Sequence, residues 1–128
     1  MDAATRRLVR DRAANRCEYC GLHQRWSPLA TLHVEHVIPK KHGGTDDPNN
    51  LALACVDCNL HKGPNVAGFD PETGRLTDLF HPRRHEWAEH FEWSGATIVG
   101  KTAIGRTTVE VLGLNSDERL QLRREALD

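Results

Sequence analysis

The sequence predicts a small α+β domain, and three observations carry that expectation. Two Cys-x-x-Cys pairs, Cys17/Cys20 and Cys55/Cys58, stand with no cysteine left over. Between them a β-branched run, a loop dense in Gly, Pro, Asn and Asp, and a second short apolar run spell strand, loop, strand. Helical spacing precedes the first pair and returns in the last part of the chain.

Each element can be justified in order. Leu8, Val9, Arg12 and Ala13 fall at helical spacing over Thr5 to Asn15, so a helix delivers the first cysteine pair. Arg6, Arg7, Arg10, Arg12 and Arg16 decorate it, either as a solvated face or as a surface that contacts phosphates. GLHQRWSP is a loop, with His23 on its surface. Residues 31–38, TLHVEHVI, read as a strand that stops at Pro39, which cannot donate to a ladder. The loop PKKHGGTDDPNN follows, then LALA at 51–54, a strand antiparallel to the first if the loop folds back. After CVDC, NLHK reads as a short helix ending at Gly63-Pro64.

Beyond residue 66 the signals are less specific. GFDPETGRL predicts a hairpin turn around 70–74. HPRRHEWAEHF, 81–91, predicts a helix with Pro82 in its first turn and Trp87 and Phe91 packing at i and i+4. ATIVGKT reads as a strand, and GRTTVEVLGLN and SDERLQLRREAL as two helices, the second capped by Asn115 or Ser116. Leu114, Leu120 and Leu127 are expected to make core or dimer contacts.

At 128 residues the chain is expected to be a single domain, with a core at about 15–65 and an accessory tail at about 66–128. Only 38% of residues are apolar, which is thin for a self-sufficient core and makes a cross-link physically sensible. Four thiolates in two pairs suit one tetrahedral zinc, and a structural zinc leaves no open coordination position for chemistry. Two disulfides are the rival. The N-terminal segment shows no apolar signal region, so a reduced, cytoplasmic protein without a membrane segment is expected. The net charge of −1 does not advertise a nucleic-acid binder, but residues 1–65 hold nine Lys/Arg against seven Asp/Glu, and 66–128 eight against eleven.

The function is expected beside the zinc. Glu35-His36, Asn50, Asn59 and Lys62, set within EHVIPKKHGGTDDPNNLALACVDCNLHKG between and beyond the cysteine pairs, resemble the HNH endonucleases and their ββα-metal fold. The resemblance implies a metal-dependent endonuclease that hydrolyses phosphodiester bonds in DNA, most readily double-stranded, by nicking or double-strand cleavage. It implies that His36 is the general base and that Asn50 braces the loop carrying it. It further implies that Glu35 and Asn59 hold a catalytic Mg²⁺ or Mn²⁺. Lys62 fits the family's spacing. Lys40, Lys41, Arg83 and Arg84 are further candidates to hold phosphates, and a homodimer is an open possibility.

The chemistry is coherent from the residues as well. A neutral imidazole suits proton abstraction near pH 7. One carboxylate and one amide leave a hard cation with open positions for phosphate oxygens and water. Two tensions remain: adjacent strand residues Glu35 and His36 should point to opposite faces, and glutamate stands where many relatives have aspartate or histidine. His33, two residues before Glu35, could be an auxiliary ligand or a surface residue, and His42 reads as solvated. His81 and His85 could line the cleft, although packing is the blander account. The alternatives are an inactive zinc-ribbon DNA-binding module, a protein-interaction module, or a nuclease for RNA or modified DNA.

Overall fold

The computed structural model describes residues 1–127, with side chains up to Ala126; the side chain of Leu127 therefore lies outside the described residues. It is α+β, as the sequence predicts. Helix α1, Ala3–Arg12, is capped by the Asp2 carboxylate, which accepts from Thr5 N at 2.7 Å, and it buries Val9. The helix ends three residues sooner than its periodicity suggests. Ala14 and Asn15 take left-handed backbone, with φ of 52° and 56°, and turn the chain sharply into the first cysteine pair.

Strands β1, His33–His36, and β2, Leu51–Ala54, pair antiparallel, with His36 opposite Leu51 and Glu35 opposite Ala52. Helix α2, Val56–Lys62, follows, with the Cys55 sulfur accepting from Cys58 N at its start. Every residue of β2 is buried, because the first cysteine pair covers its outer edge: Glu18 N donates to Leu53 O at 2.8 Å. The expected strand–loop–strand–helix core is therefore present, and its central strand is sealed on all sides.

The tail departs further from expectation. The hairpin of β3, Ala67–Phe69, and β4, Leu76–Asp78, forms as predicted. The helix expected over 81–91 shrinks to α3, Trp87–His90, and Phe91–Ser94 becomes β5, paired with β6, Thr97–Gly100. Trp87 and Phe91 still meet, with ring centroids 5.0 Å apart. Their spacing satisfied a helix, but the pairing with β6, invisible locally, decides for a strand.

Helices α4, Ala103–Leu112, and α5, Asp117–Leu127, close the molecule. Ser116 caps α5, while Asn115 is spent elsewhere, exchanging hydrogen bonds with the backbone of Ile98 at 2.9 and 2.8 Å. A Cβ at Gly105 would lie 2.0 Å from His90 O, so only glycine lets α4 seat against this corner. Arg106 of α4 grips the fully buried Asp70 through two bonds, and Asp70 also accepts from Glu72 N and Thr73 Oγ1. This contact locks the β3–β4 turn to α4. Leu114 is buried and Leu120 half-buried. Among the described residues, no helix is long and apolar enough to cross a membrane.

Candidate active site and metal centre

The four cysteine sulfurs lie within 4.8 Å of one another, all buried and none bridged. That set fits a tetrahedral zinc and leaves the disulfide reading without support. A third element completes the site. Arg119 of α5 donates to Cys58 Sγ at 2.9 Å and reaches Cys55 Sγ at 3.8 Å, with its other amine on Leu112 O at 2.7 Å. Four thiolates around a dication carry two net negative charges, and a buried guanidinium offsets one of them. The nearby thiolates hold the Arg119 pKa above its usual value despite burial, the largest single effect, which acts in the opposite direction. Sequence reasoning missed Arg119, since nothing about one arginine on a charged helix marks it.

The loop from β1 to β2 is tied by Asn50. Its Oδ1 accepts from Ile38 N, and its Nδ2 donates to Ile38 O and Thr45 O, each at 2.9 Å. The backbone of Asn50 accepts from Val37 N at 2.8 Å. Gly44 sits so close that a Cβ would meet Ile38 O at 1.6 Å. These constraints hold the segment after His36 in one path.

Glu35, His36, Asn59 and His33 line one shallow cleft of roughly 400 Å³, with Pro39 and Lys40 at its rim. Strand alternation thus does not keep Glu35 and His36 from one site. His36 Nε2 lies 2.7 Å from Asp46 Oδ1, and Asp46 also lies 3.6 Å from Lys40 Nζ. The hydrogen bond from His36 holds the Asp46 pKa below its usual range. Asp46 was not singled out from sequence: an exposed loop carboxylate ten residues away carries no periodic signal. The Asn59 side chain makes no hydrogen bond among the described residues, which leaves its amide oxygen available.

Glu35 is more enclosed than the sequence suggests. Its carboxylate is buried and accepts from Tyr19 OH, and its Oε2 lies 3.9 Å from Lys62 Nζ. Burial raises the Glu35 pKa, against the pull of Lys62, and burial likewise lowers that of Lys62. Lys62 itself is 1% exposed and donates to Val37 O at 2.8 Å. In this position it supports β1 and Glu35 and presents no charge to a DNA backbone.

The other predicted cations scatter. Lys40 and Lys41 are exposed on the short helical turn Lys40–His42, and of the two only Lys40 reaches the cleft. Arg83, paired with Glu18, and the exposed Arg84 line a separate cleft with Arg12 and Arg16. His42, His81 and His85 share a further cavity with Lys62. There His81 is buried, its Nδ1 accepting from Arg83 N at 3.1 Å.

An enclosed four-cysteine centre that could hold zinc stands beside a strand pair whose first strand ends in His36 and whose second leads into α2. Residues 17–65 match the family model of the HNH endonucleases, and an HNH segment therefore occupies this part of the chain. Over 108 residues the chain is 30% identical to Septu protein PtuB of Bacillus thuringiensis, covering 83% of this chain and 39% of that protein. The chain thus spans about two fifths of the length of the curated relative it matches. No solved structure matches. A nuclease-type function is what the HNH segment and this relative support.

Proposed function

We propose that the protein is a metal-dependent DNA endonuclease in which His36 is the general base. The observation that carries this reading is the meeting of Glu35, His36 and Asn59 in one open cleft, above a segment fixed by Asn50. The donor set suits a hard dication: among the described residues Glu35 Oε2 makes no hydrogen bond, although Lys62 Nζ lies 3.9 Å away, and the Asn59 amide oxygen is uncommitted. Mg²⁺ or Mn²⁺ held there would neutralise charge on the scissile phosphate and its leaving oxygen. The four-cysteine centre would hold a structural zinc.

The chain's own residues supply the remainder. An ionised Asp46 would accept from His36 Nε2–H, which leaves Nδ1 as the nitrogen free to take a proton. His36 then takes a proton from the attacking water. Asn50 keeps the ring in place through the backbone of Ile38 and Thr45, and Tyr19 and Lys62 hold Glu35. Lys40 stands at the rim to meet a phosphate oxygen.

The test is supercoiled-plasmid cleavage in Mg²⁺, Mn²⁺ or EDTA, with a folded, zinc-loaded His36→Ala variant alongside. A general base contributes ~10²–10⁴-fold, so the variant should yield almost no relaxed or linear product. Equal cleavage by the variant would remove His36 from the mechanism. Salt-sensitive DNA binding without any cleavage by the wild type would favour an inactive zinc-ribbon DNA-binding module.

A further inference from the structure

The chain's three tryptophans, Trp26, Trp87 and Trp93, all line one face on the first cysteine pair's side of the molecule. Two adjoining clefts, of roughly 450 and 420 Å³, meet there and share Arg16, Gly21 and Trp93. Neither shares a residue with the His36 cleft. We propose that this arginine–tryptophan face is a platform for single-stranded nucleic acid, whose bases stack on Trp93 and Trp26 while its phosphates meet Arg16, Arg25 and Arg84.

The aromatic half of this argument is exposure. Trp93 is 50% exposed and Trp26 36%, an unusual amount of bare indole for a chain this poor in aromatic residues. Trp93 is also braced by its neighbours. Its ring stacks on Trp87 at 5.5 Å, Trp87 is anchored by its Nε1 on Tyr19 O at 2.9 Å, and the Arg123 guanidinium sits 5.9 Å from the Trp93 ring centroid. Half of the Trp93 surface nonetheless stays exposed, and an exposed indole held in place is what base stacking requires.

The electrostatic half is an imbalance. Among the described residues, no carboxylate lines the cleft of Trp26 and Trp93, while Arg16, Arg25 and Arg123 do. In the neighbouring cleft Arg12, Arg16, Arg83 and Arg84 face only Glu18 and Glu86, and Glu18 is already paired to Arg83. Arg12 and Arg16 hydrogen-bond to backbone carbonyls, and neither is within ion-pair distance of a carboxylate among the described residues. Burial and then the neighbouring Arg83 depress the Arg12 pKa, and Glu18 offsets them only in part. A polyanion bearing flat apolar rings matches both halves. A duplex offers the charge but keeps its ring faces stacked.

The face is also coupled in space to the proposed cleavage site. Arg12 donates to Pro48 O and Leu51 O, both at 2.7 Å, and Leu51 lies directly opposite His36 in the β-ladder. The Arg12 end of this face therefore touches the strand that pairs with the candidate base's own. The inference rests on the nuclease reading only in taking the ligand to be nucleic acid.

Because all three tryptophans lie on this face, intrinsic fluorescence reports its occupancy. Zinc-loaded His36→Ala protein, which should not degrade the probe, is titrated with oligothymidine and with a duplex competitor, following quenching and anisotropy. The expected result is saturable quenching by the single strand, competed poorly by duplex. Trp93→Ala should weaken binding by about 5- to 150-fold, the range for loss of one stacked base. Arg84→Gln, at an exposed position, should lower the slope of log affinity against log salt by about 0.7. Absence of quenching, or unchanged affinity in both folded variants, would overturn the platform and leave the face to a protein partner. Plasmid cleavage by wild type with no oligothymidine binding would sink this inference alone. Oligothymidine binding with no cleavage of any substrate would instead sink the nuclease reading.

Discussion

Asn50→Ala separates bracing from substrate contact at the candidate site. The substitution removes three hydrogen bonds of 2.9 Å from a buried side chain, two to Ile38 and one to Thr45. Each is worth about 1 kcal/mol net, and water can reach part of Ile38 and Thr45, so the loss should be about 2–3 kcal/mol. An unfolding entropy of about 2.1 cal/mol/K per residue over this chain converts that to a fall in Tm of about 7–11 °C. Thermal melts of zinc-loaded protein, read beside plasmid cleavage, make the assay. If Asn50 acts by holding the loop, stability and kcat fall together while KM changes little, because a base displaced by about 1 Å loses ~10²-fold in rate. Asn50→Asp keeps the acceptor for Ile38 N but turns a carboxylate on two carbonyls, and should be no better than alanine. A melt unchanged to within about 1 °C, with cleavage abolished, would refute bracing and put Asn50 on the substrate.

Three further outcomes follow from the same contacts. Gly44→Ala forces a Cβ against Ile38 O, so the variant should retain its far-UV circular dichroism yet lose thermal stability and cleavage; wild-type cleavage would mean the loop path is not required. Arg119→Leu should lower zinc affinity by about 10- to 100-fold, measured by competition with a chromophoric chelator, and Arg119→Lys should recover part of it; equal retention would deny Arg119 its charge role. Burial holds the His81 pKa down at about 4, so the unfolded chain binds a proton there from pH 6.5 downward while the folded chain does not. Stability should therefore decline as pH falls from about 6.5 to 4, by about 1–2 kcal/mol from this residue, and His81→Gln should lose less over that window in urea melts.

Much of the core was legible because its signals are local. Cysteine spacing, β-branched runs and a loop rich in turn formers specify strand, loop, strand and helix without reference to the remainder of the chain. Glu35, His36, Asn50 and Asn59 were singled out through the resemblance of their spacing to a family motif, and the structure brings Glu35, His36 and Asn59 to one cleft. What escaped depends on partners distant in sequence. Phe91–Ser94 carries helical spacing with Trp87 and became a strand only because β6 was there to pair with. Lys62 looked like a free phosphate ligand, yet it sits four residues after Cys58 on α2, so the face that buries the cysteine buries the lysine too. Asp46 and Arg119 act across loops and helices that no local pattern connects to His36 or to the cysteines.

Arg119 has a bearing on how the molecule is assembled. The sulfurs come from two segments brought together early in the chain, but the counter-ion that balances them arrives from its last helix, 61 residues beyond Cys58. Helix α5 is thus tethered to the four-cysteine centre by charge. A chain shortened before Ser116 would keep all four ligands and still present an under-compensated dianionic cluster. Its defect would show as a leaky metal site rather than as a missing helix. Conversely, stripping the metal would protonate the thiols, weaken the grip on Arg119 and loosen α5, so metal occupancy would be felt at the opposite end of the sequence from the helix that introduces the first cysteine.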